Sequence, residues 1–377
     1  MLSRAGLDVD QFLAEAVESV ARALPQLAGW VGTHDPATRL LTSCRKFGDF
    51  AGKDDDDCAF GRIEYESDEP TTVLRMFGSG TVAVAMHRFT DGSTTRSPRM
   101  ALLAAPEYGY HDELRLLFRD REALWGAMGM FRGARDPKFS DQEVELAASL
   151  SHYFARGIRG GILARTLDGP APHDDAGPAV VVVSAKDEIA QFTPGANARL
   201  EQLRELDASP AANGRGLRLA DGRVDPMGVL SALVGTARST ARGREASIPR
   251  VRVRGADGMW MLLHASPLEG TAERAGDVAI TIEEARPPEI VPLVVSAFEL
   301  TPRERDITQL VLQGVDTKEI ADALHLSAYT VQDHLKSVFD KAEVRSRKEL
   351  ISRVYFDQYQ PRMGRTRYSD SGFASVA

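Results

Sequence analysis

Cysteine is scarce: Cys44 and Cys58 are the only two in 377 residues. That is too few for the disulfide framework of a small secreted domain, and a reducing compartment is expected. Long apolar runs are missing as well. No stretch approaches the roughly 20 apolar residues that span a bilayer, and the opening Met1-Leu-Ser-Arg-Ala-Gly-Leu-Asp8 lacks the apolar core of a signal peptide. A soluble, cytoplasmic chain with no membrane partner is the expectation. Catalytic signatures are absent too: there is no Gly-x-Ser-x-Gly elbow, no phosphate-cradling loop, no His-Glu-x-x-His and no Gly-x-Gly-x-x-Gly fingerprint. Catalytic residues and cofactors are therefore expected to be none. Among His34, Cys44, Cys58, His87 and His111 no pair has the short spacing of a metal site, so no metal is expected. The acidic run Asp54-Asp-Asp-Asp57 follows Gly52-Lys53 in a polar stretch and reads as a solvated loop.

What is present is ordinary globular material, with 43% apolar and 27% charged residues. The length suggests two or three domains at about 150 residues each. A formal charge of -8 argues against a protein that coats nucleic acid with its whole surface. The carboxylate excess lies before residue 300, and from there on cations slightly outnumber acids. Two seams divide the chain. Thr166-Leu-Asp-Gly-Pro-Ala-Pro-His-Asp-Asp-Ala-Gly-Pro178 cannot sustain a helix or a strand ladder, and Ala285-Arg-Pro-Pro-Glu-Ile-Val-Pro292 punctuates the exit from a strand-rich stretch. The expected units are 1–165, 178–286, a connector over 287–298, a helical unit over 299–358, and a polar, disordered tail over 359–377.

The first unit opens with a helix over Asp10 to Leu24. Two strands follow around an Asp35-Pro36 turn, and Glu113–Phe118 and Trp125–Phe131 each alternate with the period of a half-buried strand. Ser140-Asp-Gln-Glu143 is a capping box for a closing helix with Val144, Ala147, Leu150, Phe154 and Ile158 on one side. This layout, with Asp35-Pro36-x-Thr38 in the first hairpin, resembles a GAF domain, a sensor fold that encloses a small-molecule pocket or dimerises. His87 is the polar candidate for such a pocket, with Trp125, Met128, Phe77 and Tyr108 as lining. The second unit has a strand run at Val180–Ser184, a return over Glu188 to Phe192, and a helix from Thr193-Pro194 to about Arg204. A further helix follows from Pro226 to Ala241, then strands at Val251–Arg254, Met259–His264 and Val278–Ile282. That order is similar to a PAS-like fold.

Residues 299–358 carry the sharpest signal. Thr301-Pro-Arg-Glu304, Asp316-Thr-Lys-Glu319 and Ser346-Arg-Lys-Glu349 are capping boxes, each ahead of an apolar periodic run, and Ser327 caps a further helix. Four short helices are specified. In the third, at about 100° per residue, Val331, Leu335, Val338 and Ala342 fall within a wedge of roughly 60°. Tyr329, Gln332, Asp333, Lys336 and Asp340 fall within roughly 100° on the far side. A helix held by one face, with Gln and Lys leading from its N-terminal half, suits a major groove. Gln can pair with adenine, Lys with guanine, and Asp can accept from cytosine.

Leu300-Thr-Pro-Arg-Glu-Arg305, Gly314-Val-Asp-Thr-Lys-Glu-Ile-Ala321, Leu326-Ser-Ala-Tyr-Thr-Val-Gln-Asp-His-Leu-Lys336 and Phe339-Asp-Lys-Ala-Glu-Val-Arg-Ser-Arg347 resemble a LuxR-type helix-turn-helix domain. The resemblance implies base contacts from Gln332, Asp333 and Lys336. Phosphate contacts are expected from Lys318, Ser327, Tyr329, Thr330, Lys341, Arg345 and Arg347, and a dimer contact on the fourth helix at Leu350, Ile351 and Val354. Asp333 departs from the neutral or basic residue that would sit more comfortably near phosphates; it reads a cytosine or repels wrong sites. The full order resembles actinobacterial GAF/PAS-like regulators ending in a LuxR-type head.

The fold class expected is multidomain α+β: a GAF-like α/β sensor, a PAS-like α+β module and an all-α four-helix head. The function expected is a homodimeric transcriptional regulator on inverted-repeat double-stranded DNA, controlled by an unknown small-molecule effector and meeting RNA polymerase if it activates. The alternatives are a ligand-independent dimeric regulator, a haem or metal sensor, and a sensory enzyme.

Overall fold

Strand alternation and helical stripes build two sheets and a set of helices that cover them. In the computed structural model the described residues are 6–25, 28–53, 56–121, 123–164, 179–207, 217–219, 224–225, 228–244, 248–255, 258–270, 274–356, 366–368 and 374–376. The seam at 166–178 lies outside them, as does most of the tail expected over 359–377. Of that tail only two paired strands, Thr366–Tyr368 and Ala374–Val376, are described.

The first sheet holds β1 (Ala28–His34), β2 (Leu41–Gly48), β3 (Ala83–Ala85), β4 (Tyr110–Asp120) and β5 (Ala123–Gly133) in the order β2-β1-β5-β4-β3, all antiparallel. One face takes α1 (Val9–Ala23) and α6 (Asp141–Leu163), the latter opened by the expected box at Ser140 and Glu143. Phe12, Leu13, Phe154 and Ile158 from these helices pack on Leu114, Leu116, Phe118, Met128 and Met130. The other face is overlaid by helices that periodicity did not reveal: α2 (Asp57–Glu66), α3 (Val73–Ser79), α4 (Met86–Phe89) and α5 (Pro98–Leu103). They are short, only α3 and α5 have side-chain caps, at Thr72 and Ser97, and α2 and α5 turn Glu64 and Arg99 inward, which blurs a 3.6-residue stripe.

The crossing of α1 on α6 depends on glycine. A Cβ at Gly157 would meet the Phe12 ring at 2.0 Å, and one at Gly161 would meet Val9 at 2.6 Å. Gly157→Ala should therefore cost about 1–3 kcal/mol through overpacking, read by urea denaturation of the full chain; an unchanged midpoint would rule out this contact.

The second sheet has the order β10-β11-β12-β6-β7-β8-β9, antiparallel except for the short parallel pairing of β7 with β8. Its strands are β6 (Ala179–Val183), β7 (Glu188–Phe192), β8 (Leu217–Leu219), β9 (Val224–Asp225), β10 (Arg250–Arg254), β11 (Trp260–Pro267) and β12 (Val278–Glu284). Helices α7 (Pro194–Asp207) and α8 (Gly228–Ala241) cover it. Every residue of α8 from Val229 to Ser239 is buried. A helix apolar nearly all round is buried on both sides, and α8 is: one side meets Val181, Val253, Leu263 and Ile280 of the sheet, the other meets α2. There, a Cβ on Gly61 would meet Ser231 Cβ at 2.8 Å and one on Gly235 would meet Tyr65 Cβ at 2.9 Å, so each helix offers a glycine to the other.

The stretch expected as a connector over 287–298 is helical. It forms α9 (Pro287–Ala297), with prolines in its first turn and the Glu289 carboxylate taking the Arg286 N–H at 2.7 Å. Ile290, Leu293, Val294, Ala297 and Phe298 are buried in a core that runs from the first unit into the C-terminal helices. Those helices are α10 (Pro302–Leu312), α11 (Thr317–Leu324), α12 (Ala328–Lys341) and α13 (Arg347–Ile351), the last continued by a wide turn over Ser352–Phe356. No helix among the described residues is long and apolar enough to cross a membrane.

Candidate nucleic-acid interface

The geometry of the C-terminal unit follows its caps. Thr301, Asp316, Ser327 and Ser346 each accept from the backbone of the first helical turn, and Glu304 and Glu319 return the bond to the cap N–H at 2.7 and 3.0 Å. His325 ends α11 in the left-handed conformation, φ 55°, and turns the chain into α12 within three residues. Ile307 and Val311 from α10, Ile320 and Ala321 from α11 and Leu350 from α13 close around Val331, Leu335, Val338 and Ala342 of α12. The opposite side of α12 is open: Tyr329, Gln332, Asp333, Lys336 and Asp340 are exposed, Tyr329 by 75%. His334, beside the inward stripe, is half-buried.

Around this face Lys318 and Arg345 are exposed. The Ser327 hydroxyl caps α12 through the Thr330 N–H at 3.0 Å and meets the Thr330 hydroxyl at 2.8 Å. Two of the cations expected at phosphates are engaged within the domain. The Lys341 ammonium donates to Glu304 at 2.5 Å, and the Arg347 guanidinium donates to the Val315 carbonyl, tying α13 to the α10–α11 turn. Both serve as scaffold in this structure. The signal for Lys341 was its distance from Glu304, 37 positions away, which no local pattern shows.

Glu304 is the electrostatic centre of the unit. It is 4% exposed, takes the Ser337 hydroxyl at 2.7 Å and the Thr301 N–H at 2.7 Å besides Lys341. Burial pushes its carboxyl up, but the hydrogen bonds from Lys341, Ser337 and Thr301 outweigh that and hold it at about 2.

The dimer contact expected on the fourth helix is also corrected. Leu350 and Val354 are fully buried in the protein's own core, packed with α9 and α10, and Ile351 is half-buried. An apolar triplet reads the same whether it faces a partner or a neighbouring helix of its own chain.

The pocket residues expected in the first unit are scattered. His87 donates its backbone N–H to Asp112 at 3.0 Å and its Nδ1 lies 2.9 Å from the same carboxylate, a clasp between α4 and β4. Met128 belongs to the face covered by α1 and α6. Trp125 joins that face because β5 bulges there: Phe118 pairs with Gly126 and Arg119 with Leu124, leaving Trp125 unpaired and breaking the alternation. Phe77 lies under the guanidiniums of Arg39 and Arg119. Tyr108 packs against Phe50 and Phe60 and donates to Asp56 at 3.0 Å. None of the five lines the cavity of about 130 Å³ that lies on the opposite face, under α2. The acidic run is likewise no simple loop. Asp54 and Asp55 fall outside the described residues, whereas Asp57 opens α2 and holds Lys46 at 2.5 Å.

That cavity is walled by Trp30, Phe50, Phe60 and Phe131, with Leu41, Val73 and Leu103 beside them. Its polar floor joins Glu64 to Arg115 at 2.9 Å, with Arg99 bonded to Glu113 at 2.8 Å immediately behind. Burial raises the Glu64 carboxyl, but the guanidiniums of Arg115 and Arg99 outweigh it and leave it below the ordinary carboxylate range. Burial brings the His34 imidazole down to about 4 against the pull of Glu64, so the ring is neutral at neutral pH. Among the described residues no group of three or more His, Cys, Asp or Glu could hold a metal ion.

Comparison with known proteins places one part of the chain. Residues 299–354 match the bacterial regulatory proteins of the luxR family and form a domain of that family. The monoamine regulon transcriptional regulator of Klebsiella aerogenes is 43% identical over 61 residues, 16% of this chain and 27% of that one. The transcriptional regulatory protein DesR of Bacillus subtilis is 35% identical over 92 residues, 24% of this chain and 46% of that one. The chain thus spans less than half the length of these relatives. Solved structures with local likeness include a GAF domain/HD domain protein from Geobacter sulfurreducens, at 18% identity, a TM-score of 0.30, and coverage of 40% of this chain and 93% of that one. A Vibrio cholerae VqmA–ligand–DNA complex matches at 16% identity, a TM-score of 0.23, and coverage of 49% and 84%. At such scores the architecture of the first 286 residues stands on this chain's own strand order.

Proposed function

We propose that this protein is a homodimeric, sequence-specific DNA-binding transcriptional regulator whose first unit, GAF-like in layout, receives a small-molecule effector. The reading face of α12 carries this proposal: one side of the helix is locked into the bundle and the other presents Gln332, Asp333 and Lys336 to solvent, at the width a major groove admits. Lys318, Arg345 and the N-terminal end of α12 are placed for phosphate oxygens. The units of residues 1–165, 178–286 and 299–358 act as sensor, PAS-like coupling module and DNA-binding head. Two heads reading an inverted repeat would bind half-sites about one helical turn, 34 Å, apart, and their contact has to come from surface other than Leu350 and Val354. RNA polymerase becomes a partner where the outcome is activation.

Selection of bound duplexes from a random pool tests this reading. The full chain should enrich a palindrome, and Lys336→Ala should lose preference at one base pair per half-site, costing about 1–3 kcal/mol there. An unchanged preference after Lys336→Ala would remove Lys336 from the reading face; no enrichment at all would remove the function.

A further inference from the structure

The cavity under α2 is a built site. It is a partly open cleft bounded by β1, β2, β4 and β5 below and by α2 and α5 around it, and Gly228 and Ser231 of α8 line it from the second unit. At about 10–15 Å³ for one water-sized probe, a volume of about 130 Å³ takes roughly ten heavy atoms. A nucleotide does not fit; a single ring with one substituent does.

The polar atoms decide which substituent. His34 is 4% exposed and its Nδ1 has no hydrogen-bond partner. The same holds for Arg99 Nη1 and Arg115 Nε, on side chains 6% and 3% exposed. Each guanidinium atom has only a carboxylate beyond hydrogen-bond geometry, Glu64 at 3.5 Å for Arg99 Nη1 and Glu113 at 3.6 Å for Arg115 Nε. Buried donors of this kind cost free energy until an acceptor reaches them. Lys46, Arg99 and Arg115 of the lining are offset by Asp57 and Glu64 and, behind them, by Glu113 and Glu69, so the unsatisfied guanidinium donors rather than an excess of charge favour an anion. Guanidiniums match carboxylates in geometry as well as in charge. Trp30, with the Arg115 guanidinium 5.3 Å above its ring, and the rings of Phe50, Phe60 and Phe131 supply a flat apolar wall.

We propose that this cavity binds a small aromatic carboxylate, its ring against Trp30, Phe50, Phe60 and Phe131 and its carboxylate toward Arg99, Arg115 and His34. The inference rests on the reading of the first unit as sensor and names the class of its effector. Because α8 supplies part of the wall, the ligand touches both front units and biases how they pack, which is the differential contact that control requires.

Titration calorimetry on the full chain, with quenching of tryptophan emission as a second readout, tests it with benzoate and 4-hydroxybenzoate, against benzyl alcohol and benzylamine. Benzoate or its hydroxy derivative should bind at least about tenfold more tightly than benzyl alcohol, and benzylamine should not bind. His34→Leu removes no hydrogen bond of the fold, so its melting temperature should hold while benzoate affinity falls about tenfold. Leu41→Phe, filling the cavity from the half-buried edge of β2, should abolish binding. Benzylamine binding more tightly than benzoate, benzoate binding equally to Leu41→Phe, or no binding of either acid at millimolar concentration to the folded chain would overturn the assignment. Benzoate binding that leaves operator retention unchanged upholds the site and overturns only its control over DNA.

Discussion

Replacing Glu304 by alanine should destabilise the C-terminal helices by about 3 kcal/mol at neutral pH. The carboxyl sits at about 2 against an ordinary 4.5, and each unit is about 1.4 kcal/mol of preference for the charged form in the folded state. The group is nearly sealed from water, so little of that is screened. Since the folded-state value is depressed, the stabilisation is complete above the ordinary carboxylate range and is lost as pH falls through 4.5 towards about 2. Wild type and Glu304→Gln should therefore differ most at neutral pH and converge in acid, as followed by denaturant midpoints. Parallel curves at all pH values would sink the account. Lys341→Ala separates two roles for that lysine. As the partner of Glu304 it should lower stability; as a phosphate contact alone it would weaken DNA binding with stability unchanged.

Asp35→Ala should be the more damaging substitution, at about 3–5 kcal/mol, because it strands a buried guanidinium. Arg252 of β10 donates to the two oxygens of Asp35 at 2.5 and 2.7 Å, and its remaining nitrogen donates to the Glu289 carbonyl of α9 at 2.8 Å. One side chain thus clamps the turn after β1, the second sheet and the first turn of α9. Limited proteolysis of Asp35→Ala should release the front units from each other, and the double variant Asp35→Leu with Arg252→Met should recover part of the loss, since a buried ion pair is replaceable by apolar side chains. If Asp35→Ala keeps the wild-type midpoint, the clamp is not what joins the units.

The sequence spoke clearly wherever the controlling interactions are local. Caps three residues apart gave α6, α10, α11 and α13, and a stripe of Val331, Leu335, Val338 and Ala342 oriented α12 to the correct side. It was silent on α2 and α5, which bury Glu64 and Arg99 rather than a continuous apolar stripe, and on α3, whose seven residues bury only Val73 and Met76. The cavity was misplaced for the same reason. Of the expected pocket residues Trp125 and Met128 are on β5, where a bulge turns Trp125 to the other face, and the polar groups of the site come from β1, β2, β4, α2 and α5, 81 positions apart between His34 and Arg115. Asp35 was legible as a turn residue and illegible as the anchor of Arg252, 217 positions away.

The helix α9 has a mechanical consequence. A loose tether would leave the head free to swivel and to accept half-sites at many separations. Here Arg252 grips the start of that helix, its flank is set in apolar side chains shared with both neighbours, and at its far end the Arg159 guanidinium of α6 holds the Glu299 carboxylate. Held at both ends, α9 is built as a strut rather than a tether: under the proposed function, a small tilt at its base would reappear as displacement of α12, and operator spacing would then follow the geometry of the first unit.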